Sequence, residues 1–285
     1  MNVWIVRTMA VIGLMLMTVC DGAAQQWMKE TYRQLDSSAL HLEILTPEGH
    51  SPSAIKPAIV FFFGGGWKVG NLNHFRPQAE AFAARGMITV LVEYRTKSSH
   101  GVSPFECLED AKAAIRYIRK SANRLGVDPD RICAAGGSAG GHLAAATSFI
   151  QGFEADMADT AISCQPNLLV LYNPVIDNGP AGYGYDRIGD RFREFSPLHN
   201  LRENLPPTLF LLGDRDHLIP VETATYFQKS MERLGNICEL EIYPGGKHGF
   251  FNPSSKNNWF QATLDRADQF LVEQGYLSPR APATE

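Results

Sequence analysis

The sequence predicts an α/β fold with a mostly parallel central sheet and helices on both faces. Two observations lead to this prediction. From residue 40 onward, strand-like apolar runs alternate with helical segments, which is the order of a parallel sheet with crossover helices. Several of the runs are continuously apolar rather than alternating, as expected for strands that helices cover on both sides.

Seven strands are predicted where apolar, aromatic or β-branched residues run between turn residues. Their positions are 40–45, 58–63, 88–94, 131–135, 167–173, 208–213 and 239–243. Five helical segments lie between or after them, at 74–85, 104–125, 139–150, 221–234 and 257–274. A proline at the start of a helix and a glycine after its end, as at Pro104 and Gly126, support these boundaries. The long gap at 178–200 predicts a small lid or binding loop.

Residues 1–24 have the order of a secretory signal peptide: a short basic start, an apolar run and an exit of small residues. Cleavage after Ala24 would leave 25–285 as a single domain, and we expect an exported protein, periplasmic or secreted. Lipid attachment at Cys20 is the alternative, although Val19 is larger than such a signal normally allows. Only about fifteen residues would then precede the first predicted strand, so we expect no large N-terminal cap.

Composition argues against several classes of function. The net charge is −4 and no long run of Lys or Arg occurs, so nothing favours a nucleic-acid partner. No spaced cluster of His and acidic residues suggests a metal site, and we expect no cofactor and no stable membrane association. Four widely spaced cysteines follow residue 24, and those in predicted strands, Cys133 and Cys238, are expected to be buried free thiols.

A candidate nucleophile lies where a predicted strand meets a predicted helix. The segment 131–146 contains Gly136-x-Ser138-x-Gly140 at that junction. A serine on a sharp strand-to-helix turn needs neighbours without side chains, because only then can its hydroxyl project above the sheet. The helix that begins behind the serine also favours negative charge developing there. We therefore predict that Ser138 is a catalytic nucleophile.

A serine hydroxyl needs a histidine base, and that base needs a carboxylate to orient it. Among the histidines after Ser138, His248 lies in a glycine-rich loop directly after the last predicted strand, at the sheet edge where such sites form. His142 lies one helical turn beyond the serine, so its ring is expected to point away. His199 and His217 are expected to be loop residues. We predict that His248 is the base.

Three aspartates are candidates for the carboxylate. Asp216 follows the strand 208–213 at a distance that lets it reach the next loop. Asp214 is adjacent to the strand end and is expected to shape the turn. Asp177 follows the preceding strand, where some enzymes of this chemistry place the acid. We rank them in the order Asp216, Asp214, Asp177.

The stretch FFFGGGWKVG at 61–70 joins a buried strand to bare backbone. Together with VEYR, GGSAGGHLA, LLGDRDHLIP and GGKHGF, it makes the chain resemble α/β-hydrolase-fold serine esterases with an HGGGW-like loop. That branch includes hormone-sensitive-lipase-like carboxylesterases and bacterial acetyl-xylan and feruloyl esterases. The resemblance covers about residues 40–275 and implies the α/β-hydrolase fold with a minimal lid. It also implies ester hydrolysis through an acyl-enzyme.

The resemblance implies that the oxyanion hole consists of the backbone N–H groups of Gly65, Gly66 and Ala139. One departure concerns the bracing of this loop. The family usually has a histidine immediately before the glycines, and this chain has Phe63. The donors themselves are backbone groups and do not depend on that side chain.

Substrate-binding residues are predicted around the same loops. Trp67 is expected to line the acyl pocket, with packing beneath the loop as the alternative, and Phe250 follows the predicted base. Tyr183, Tyr185 and Arg187 in the 178–200 segment could stack on a sugar or aryl group or pair with a carboxylate. Solvent exposure without a binding role is the equal alternative for these three.

The resulting hypothesis is a serine carboxylic-ester hydrolase for short-chain or aryl esters, carbohydrate-linked as in acetylated or feruloylated xylan. The alternatives are a general short-chain carboxylesterase, a serine exopeptidase and a non-catalytic binding protein on the same scaffold. The expected partner is a small-molecule or carbohydrate ester. The sequence leaves the oligomeric state open.

Overall fold

The computed structural model describes residues 27–255 and 259–280, so the predicted signal segment lies outside the described residues. Eight strands form one sheet in this part of the chain. They are β1 (Met28–Gln34), β2 (Ala39–Leu45), β3 (Lys56–Phe62), β4 (Ile88–Val92), β5 (Val127–Gly137), β6 (Leu168–Tyr172), β7 (Thr208–Gly213) and β8 (Cys238–Tyr243). All seven predicted strands are present, and β1 was not predicted.

Nine α-helices occur within the described residues: α1 (Arg76–Ala84), α2 (Lys97–His100), α3 (Pro104–Lys120), α4 (Ala122–Leu125), α5 (Ala139–Phe149), α6 (Tyr185–Ile188), α7 (Phe192–Phe195), α8 (Val221–Arg233) and α9 (Trp259–Glu273). Short 3₁₀ turns lie at Leu72–Phe75, Gly189–Arg191 and Pro197–Asn200. The five long helices match the five predicted segments. The predicted helix at 104–125 is divided at Ser121 into α3 and α4.

The strand order is β1-β2-β4-β3-β5-β6-β7-β8. The pairs β1–β2 and β2–β4 are antiparallel, and every later pair in this order is parallel. Because neighbouring parallel strands end in register, as Phe62 does beside Gly136 and Gly213 beside Tyr243, the loops that follow them meet at one edge of the sheet.

Two hydrophobic cores cover the two faces of the sheet. Adjacent residues of one strand belong to different cores. Val60 packs with α3, α5 and α8 on one face, and Phe61 packs with α1 and α9 on the other. This division explains why the strands read as continuous apolar runs, since both side-chain directions point into protein. It confirms the predicted mostly parallel sheet with helices on both faces.

The unpredicted strand β1 has a polar sequence, MKETYRQ, and is largely exposed. Its stability comes from antiparallel pairing with β2 and from charges that are distant in sequence. Arg33 pairs with the fully buried carboxylate of Asp110, and Glu30 pairs with Arg124 at 2.6 Å. None of these partners can be recognised in the local pattern of β1, which explains why the strand was missed.

The segment 178–200, predicted as a small lid or binding loop, folds into α6, α7 and the 3₁₀ turns Gly189–Arg191 and Pro197–Asn200. Its two ends are joined because the Ser196 hydroxyl accepts the Asn178 N–H at 3.1 Å. Ile188 and Phe195, which belong to the segment, are buried. The segment therefore packs as a small helical layer over the carboxyl edge of the sheet.

Three further features of the described residues concern the cysteines, groups of metal-ligating side chains and long apolar helices. All four cysteines after residue 24 are free thiols, and Cys133 and Cys238 are buried. Within residues 27–255 and 259–280, no group of three or more His, Cys, Asp or Glu side chains is arranged to hold a metal ion. Across the same ranges, no helix has the length and apolar character needed to cross a bilayer.

Candidate active site

Ser138 stands on the turn between β5 and α5 with φ 56° and ψ −121°. A side chain other than glycine rarely adopts a positive φ, and such strain is characteristic of functional turns. The turn is fixed on both sides, because the Ser138 N–H donates to the Tyr172 carbonyl and the Ser138 carbonyl accepts the Val175 N–H. The hydroxyl is thereby presented at the edge where the parallel strands end.

The two glycines of the G-x-S-x-G motif are required by close backbone contacts. A Cβ on Gly136 would lie 2.4 Å from the Gly140 carbonyl oxygen, and a Cβ on Gly140 would lie 2.1 Å from the Phe62 carbonyl oxygen. No side chain fits at such distances. The glycines therefore let α5 approach β3 closely enough to hold Ser138 next to the glycine loop that follows β3.

Ser138, His248 and Asp216 form one chain of hydrogen bonds. The Ser138 Oγ lies 2.9 Å from His248 Nε2, and His248 Nδ1 lies 2.7 Å from Asp216 Oδ2. A carboxylate only accepts hydrogen bonds, so it favours the tautomer with the proton on Nδ1 and a free lone pair on Nε2. That lone pair faces the serine hydroxyl, as a general base must.

The other predicted acids lie elsewhere. The Asp214 carboxylate accepts the Gly245 N–H at 2.6 Å and so connects the loops after β7 and β8, as expected of a residue that shapes the turn. Asp177 accepts the Gly179 N–H and lies 3.9 Å from His199 Nδ1. Of the three candidates, the structure brings Asp216 to the histidine that contacts Ser138.

The glycine loop lies directly against the nucleophile. A Cβ on Gly64 would be 3.4 Å from the Cβ of Ser138. Gly65 and Gly66 have φ values of 130° and 64°. The Gly65 carbonyl accepts the N–H groups of Lys68 and Val69, which fixes the Gly65–Gly66 peptide.

No hydrogen bond within residues 27–255 and 259–280 uses the N–H groups of Gly65 and Gly66. The Ala139 N–H is also without an intrahelical acceptor, because it lies in the first turn of α5. The three N–H groups named as oxyanion donors thus come from the glycine loop and from the start of the helix that carries the nucleophile. Binding of an oxyanion by these groups stays a prediction.

Two polar residues at this edge were not predicted. His74 accepts the Gly64 N–H on Nδ1 at 2.9 Å, and burial lowers its pKa. Asn173, which directly follows β6, accepts the Gly249 N–H at 3.0 Å and places its Nδ2 3.4 Å from His248 Nε2. Asn173 could have been noticed as a polar residue ending a buried strand, whereas His74 gave no sequence signal.

The predicted substrate-binding residues have different surroundings. Trp67 is only 1% exposed and packs against His142, Tyr183 and Phe195. Arg187 donates to the Gly66 carbonyl at 2.7 Å, and its guanidinium lies over the rings of Tyr183 and Trp67. This side chain therefore holds the glycine loop against the 178–200 layer.

Tyr185 and Phe250 have other neighbours than Trp67 and Arg187. Tyr185 donates to the Asp190 carboxylate at 2.9 Å on the outside of the 178–200 layer. Phe250 is buried against Tyr243 and lines a cavity of about 460 Å³ together with His248. Substrate contact by any of the five predicted binding residues stays a prediction.

His142 connects the nucleophile helix to the layer above it. Its ring points away from Ser138, as expected, but it is fully buried and donates from Nε2 to the Phe195 carbonyl at 2.9 Å. Burial lowers the pKa of His142 to about 4. The ring is therefore neutral at ordinary pH and serves as an interior hydrogen-bond donor.

A serine, histidine and aspartate in this geometry, at the carboxyl edge of a mostly parallel sheet, define an α/β hydrolase. A family model described as BD-FAE matches residues 42–178. Carboxylesterase NlhH of Mycobacterium tuberculosis is 41% identical over 219 residues, which cover 69% of this chain and 67% of that protein. An acetylxylan esterase of Xylanibacter ruminicola is 28% identical, over 97% of this chain and 55% of that protein.

Solved structures of Thermogutta terrifontis esterase 2 have the same fold. The form phosphoramylated by tabun is 44% identical, with a TM-score of 0.86, and covers 89% of this chain and 97% of that one. The butyrate-bound form is 42% identical, with a TM-score of 0.85, over 90% and 96%. The chain belongs to the esterases of the α/β-hydrolase fold. It spans only about half the length of some curated relatives, including the acetylxylan esterase.

Proposed function

We propose that this protein is a serine carboxylic-ester hydrolase that acts through an acyl-enzyme. The observation that carries the proposal is the continuous contact from Ser138 through His248 to Asp216. Beside the serine lie backbone N–H groups, those of Gly65 and Gly66, that no acceptor in the described part of the chain uses. A hydroxyl, a base and an orienting carboxylate are together sufficient to activate an oxygen nucleophile.

In the acylation step, the Ser138 oxygen attacks the ester carbonyl carbon while its proton moves to His248 Nε2. The carbonyl oxygen becomes an oxyanion, which the N–H groups of Gly65, Gly66 and Ala139 stabilise; each donor contributes about 3–4 kcal/mol in related sites. His248 then gives the proton to the leaving alcohol oxygen as the carbon–oxygen bond breaks. Water repeats the sequence on the acyl-enzyme and releases the acid.

Two considerations support a short acyl group. A Cβ on Gly66 would lie 2.8 Å from the Tyr183 hydroxyl, so the 178–200 layer reaches down to the glycine loop. Thermogutta terrifontis esterase 2 has been solved with propionate and with butyrate bound.

We propose a carbohydrate-linked ester as the natural substrate, with acetylated or feruloylated xylan as the class. The acetylxylan esterase relative and the aromatic and arginine side chains of the 178–200 layer support this choice. The signal-like segment 1–24 agrees with a substrate met outside the cytoplasm.

The test compares the wild-type protein with Ser138→Ala on 4-nitrophenyl acetate, followed by a substrate panel. We expect Ser138→Ala to lose at least about a thousandfold in kcat and to lose labelling by a fluorophosphonate. Near-wild-type turnover by this variant would contradict the assignment of the nucleophile. Faster hydrolysis of long-chain triglycerides than of acetylated xylan or methyl ferulate would contradict the substrate class, and turnover of peptides alone would indicate an exopeptidase.

A further inference from the structure

The glycine loop is held at its first residue by a side chain that follows it in the sequence. His74, in the 3₁₀ turn Leu72–Phe75, accepts the Gly64 N–H on Nδ1 at 2.9 Å. The ring is partly buried between the aromatic rings of Phe75 and Phe251. A Cβ on Gly64 would lie 3.4 Å from the Ser138 Cβ, so Gly64 is packed directly against the nucleophile.

The direction of these hydrogen bonds fixes the state of the His74 ring. Nδ1 can accept from Gly64 only if it carries no proton, so the proton must be on Nε2. Nε2 lies 2.9 Å from Asn252 Oδ1, an acceptor that suits this tautomer. Burial lowers the pKa of His74, which keeps the ring neutral.

The same chain of bonds continues to the loop that carries His248. Asn252, whose Oδ1 accepts the hydrogen bond from His74 Nε2, donates from Nδ2 to the Gly249 carbonyl at 2.9 Å. Gly249 directly follows His248 in the sequence. His74 and Asn252 therefore join the loop that carries the predicted oxyanion donors to the loop that carries the predicted base.

The end of β3 is held separately. The Tyr94 hydroxyl donates to the Phe63 carbonyl at 2.6 Å, and the two rings stack with centroids 4.0 Å apart. Gly70 leaves room for the Phe63 ring, because a Cβ there would lie 2.3 Å from it. Phe63 is thus packed as an apolar residue. The polar contact to the glycine loop comes instead from His74.

We propose that His74 is a positioning residue for catalysis. Through the Gly64 N–H it sets the direction of the glycine loop, and through Asn252 it keeps that loop in register with the His248 loop. The histidine that relatives place before the glycines is absent here, and His74 supplies a brace from the other side of the loop. This inference rests on the proposed esterase function.

Two substitutions separate the two hydrogen bonds of His74. Asparagine can place its amide oxygen close to the position of Nδ1, so His74→Asn keeps an acceptor for Gly64. Glutamine can place its amide nitrogen close to the position of Nε2, so His74→Gln keeps the donor to Asn252 and loses the acceptor. We expect His74→Gln to lower kcat by about 10- to 100-fold, because small displacements of oxyanion donors have effects of this size. His74→Asn should stay within about fivefold of wild type.

The measurements distinguish positioning from general destabilisation. KM for 4-nitrophenyl acetate should change by less than about threefold in both variants, since the oxyanion forms only in the transition state. The affinity of a trifluoromethyl ketone, which forms a tetrahedral adduct with the serine, should fall in proportion to kcat/KM. His100→Gln, the same change at an exposed histidine on α2, is the matched control and should behave as wild type.

Wild-type kcat in His74→Gln would overturn the inference. Equal losses of kcat in both His74 variants, in proportion to the decrease in their melting temperatures, would also overturn it. If His74→Gln does not fold, Asn252→Ala tests the same chain of bonds. We expect a loss in kcat of about three- to fivefold at constant KM, and unchanged kcat would overturn the link. An inactive wild-type protein would instead refute the proposed function, so the two failures are distinguishable.

Discussion

Replacement of Asp216 by asparagine should inactivate the enzyme by reversing the tautomer of His248. The Asp216 side chain is fully buried, and its Oδ1 accepts two backbone N–H groups, from Leu218 at 2.8 Å and Ile219 at 3.1 Å. In Asp216→Asn the amide oxygen must occupy this position. The NH₂ group then points at His248 Nδ1, which has to become an acceptor, and the proton moves to Nε2.

The size of this preference follows from the two backbone donors. Turning the amide the other way would leave both N–H groups facing an NH₂ group, at a cost of about 1–3 kcal/mol each. Nearly all molecules therefore hold the tautomer in which Nε2 cannot accept the Ser138 proton. An equivalent substitution in a serine protease lowers kcat by about 10⁴, or about 5 kcal/mol in the activation free energy, and we expect a similar loss here.

The assay is kcat for 4-nitrophenyl acetate, with the tautomer of His248 read from the nitrogen chemical shifts of labelled imidazole. Asp214→Asn is the matched control, because Asp214 lies two residues away and bonds the Gly245 N–H rather than the histidine. We expect this control to keep activity within about fivefold. A loss below tenfold in Asp216→Asn would refute both the assignment of the acid and the tautomer argument.

Two further predictions concern buried contacts around the site. The pKa of His142 is lowered to about 4, while an unfolded chain binds that proton near 6.5. The unfolded state therefore binds more protons than the folded state between pH 4 and 6.5. The free energy of unfolding keeps its full value above pH 6.5 and decreases as the pH falls toward 4, by about 3 kcal/mol in total. In urea unfolding, the free energy of unfolding of His142→Asn should decrease less than that of the wild type over this pH range. Arg187→Met should lower kcat/KM about tenfold by releasing the Gly66 carbonyl, and Arg187→Lys should recover part of it.

Each of these predictions has a clear contrary outcome. The same acid dependence of unfolding in wild type and His142→Asn would show that burial does not lower the pKa of this ring. Arg193→Met is the control for Arg187, because Arg193 lies in the same segment with its guanidinium over the Phe192 ring. Equal activity losses in Arg187→Met and Arg193→Met would indicate a general effect on the 178–200 layer rather than a specific hold on the glycine loop.

Most of the fold could be predicted because the sheet is buried on both faces. Strands such as 58–63 and 208–213 are continuous apolar runs, and the glycines and prolines between them mark the ends of helices. The strand β1 could not be predicted, because its polar residues are stabilised by partners such as Asp110, which is 77 positions from Arg33 in sequence. For 178–200 the sequence predicts a small lid or binding loop, without the short helices that the structure shows there.

The sequence alone indicated the nucleophile and the base that the proposed chemistry requires. The motif Gly136-x-Ser138-x-Gly140 predicts a strained turn, because only glycine permits the backbone contacts around it. His248 lies in the loop after the last strand. Both signals are local, since each depends on residue types within a few positions of one another.

The tertiary structure decided how these residues are held. Among Asp216, Asp214 and Asp177, only the contact with His248 identifies Asp216 as the acid. Which carboxylate of one loop meets a histidine of another loop depends on the three-dimensional fold. In the same way, the absence of a histidine at Phe63 left the bracing of the glycine loop open. The contact between His74 and the Gly64 N–H appears only once the chain is folded, because a single hydrogen bond across ten residues leaves no periodic or compositional pattern in the sequence.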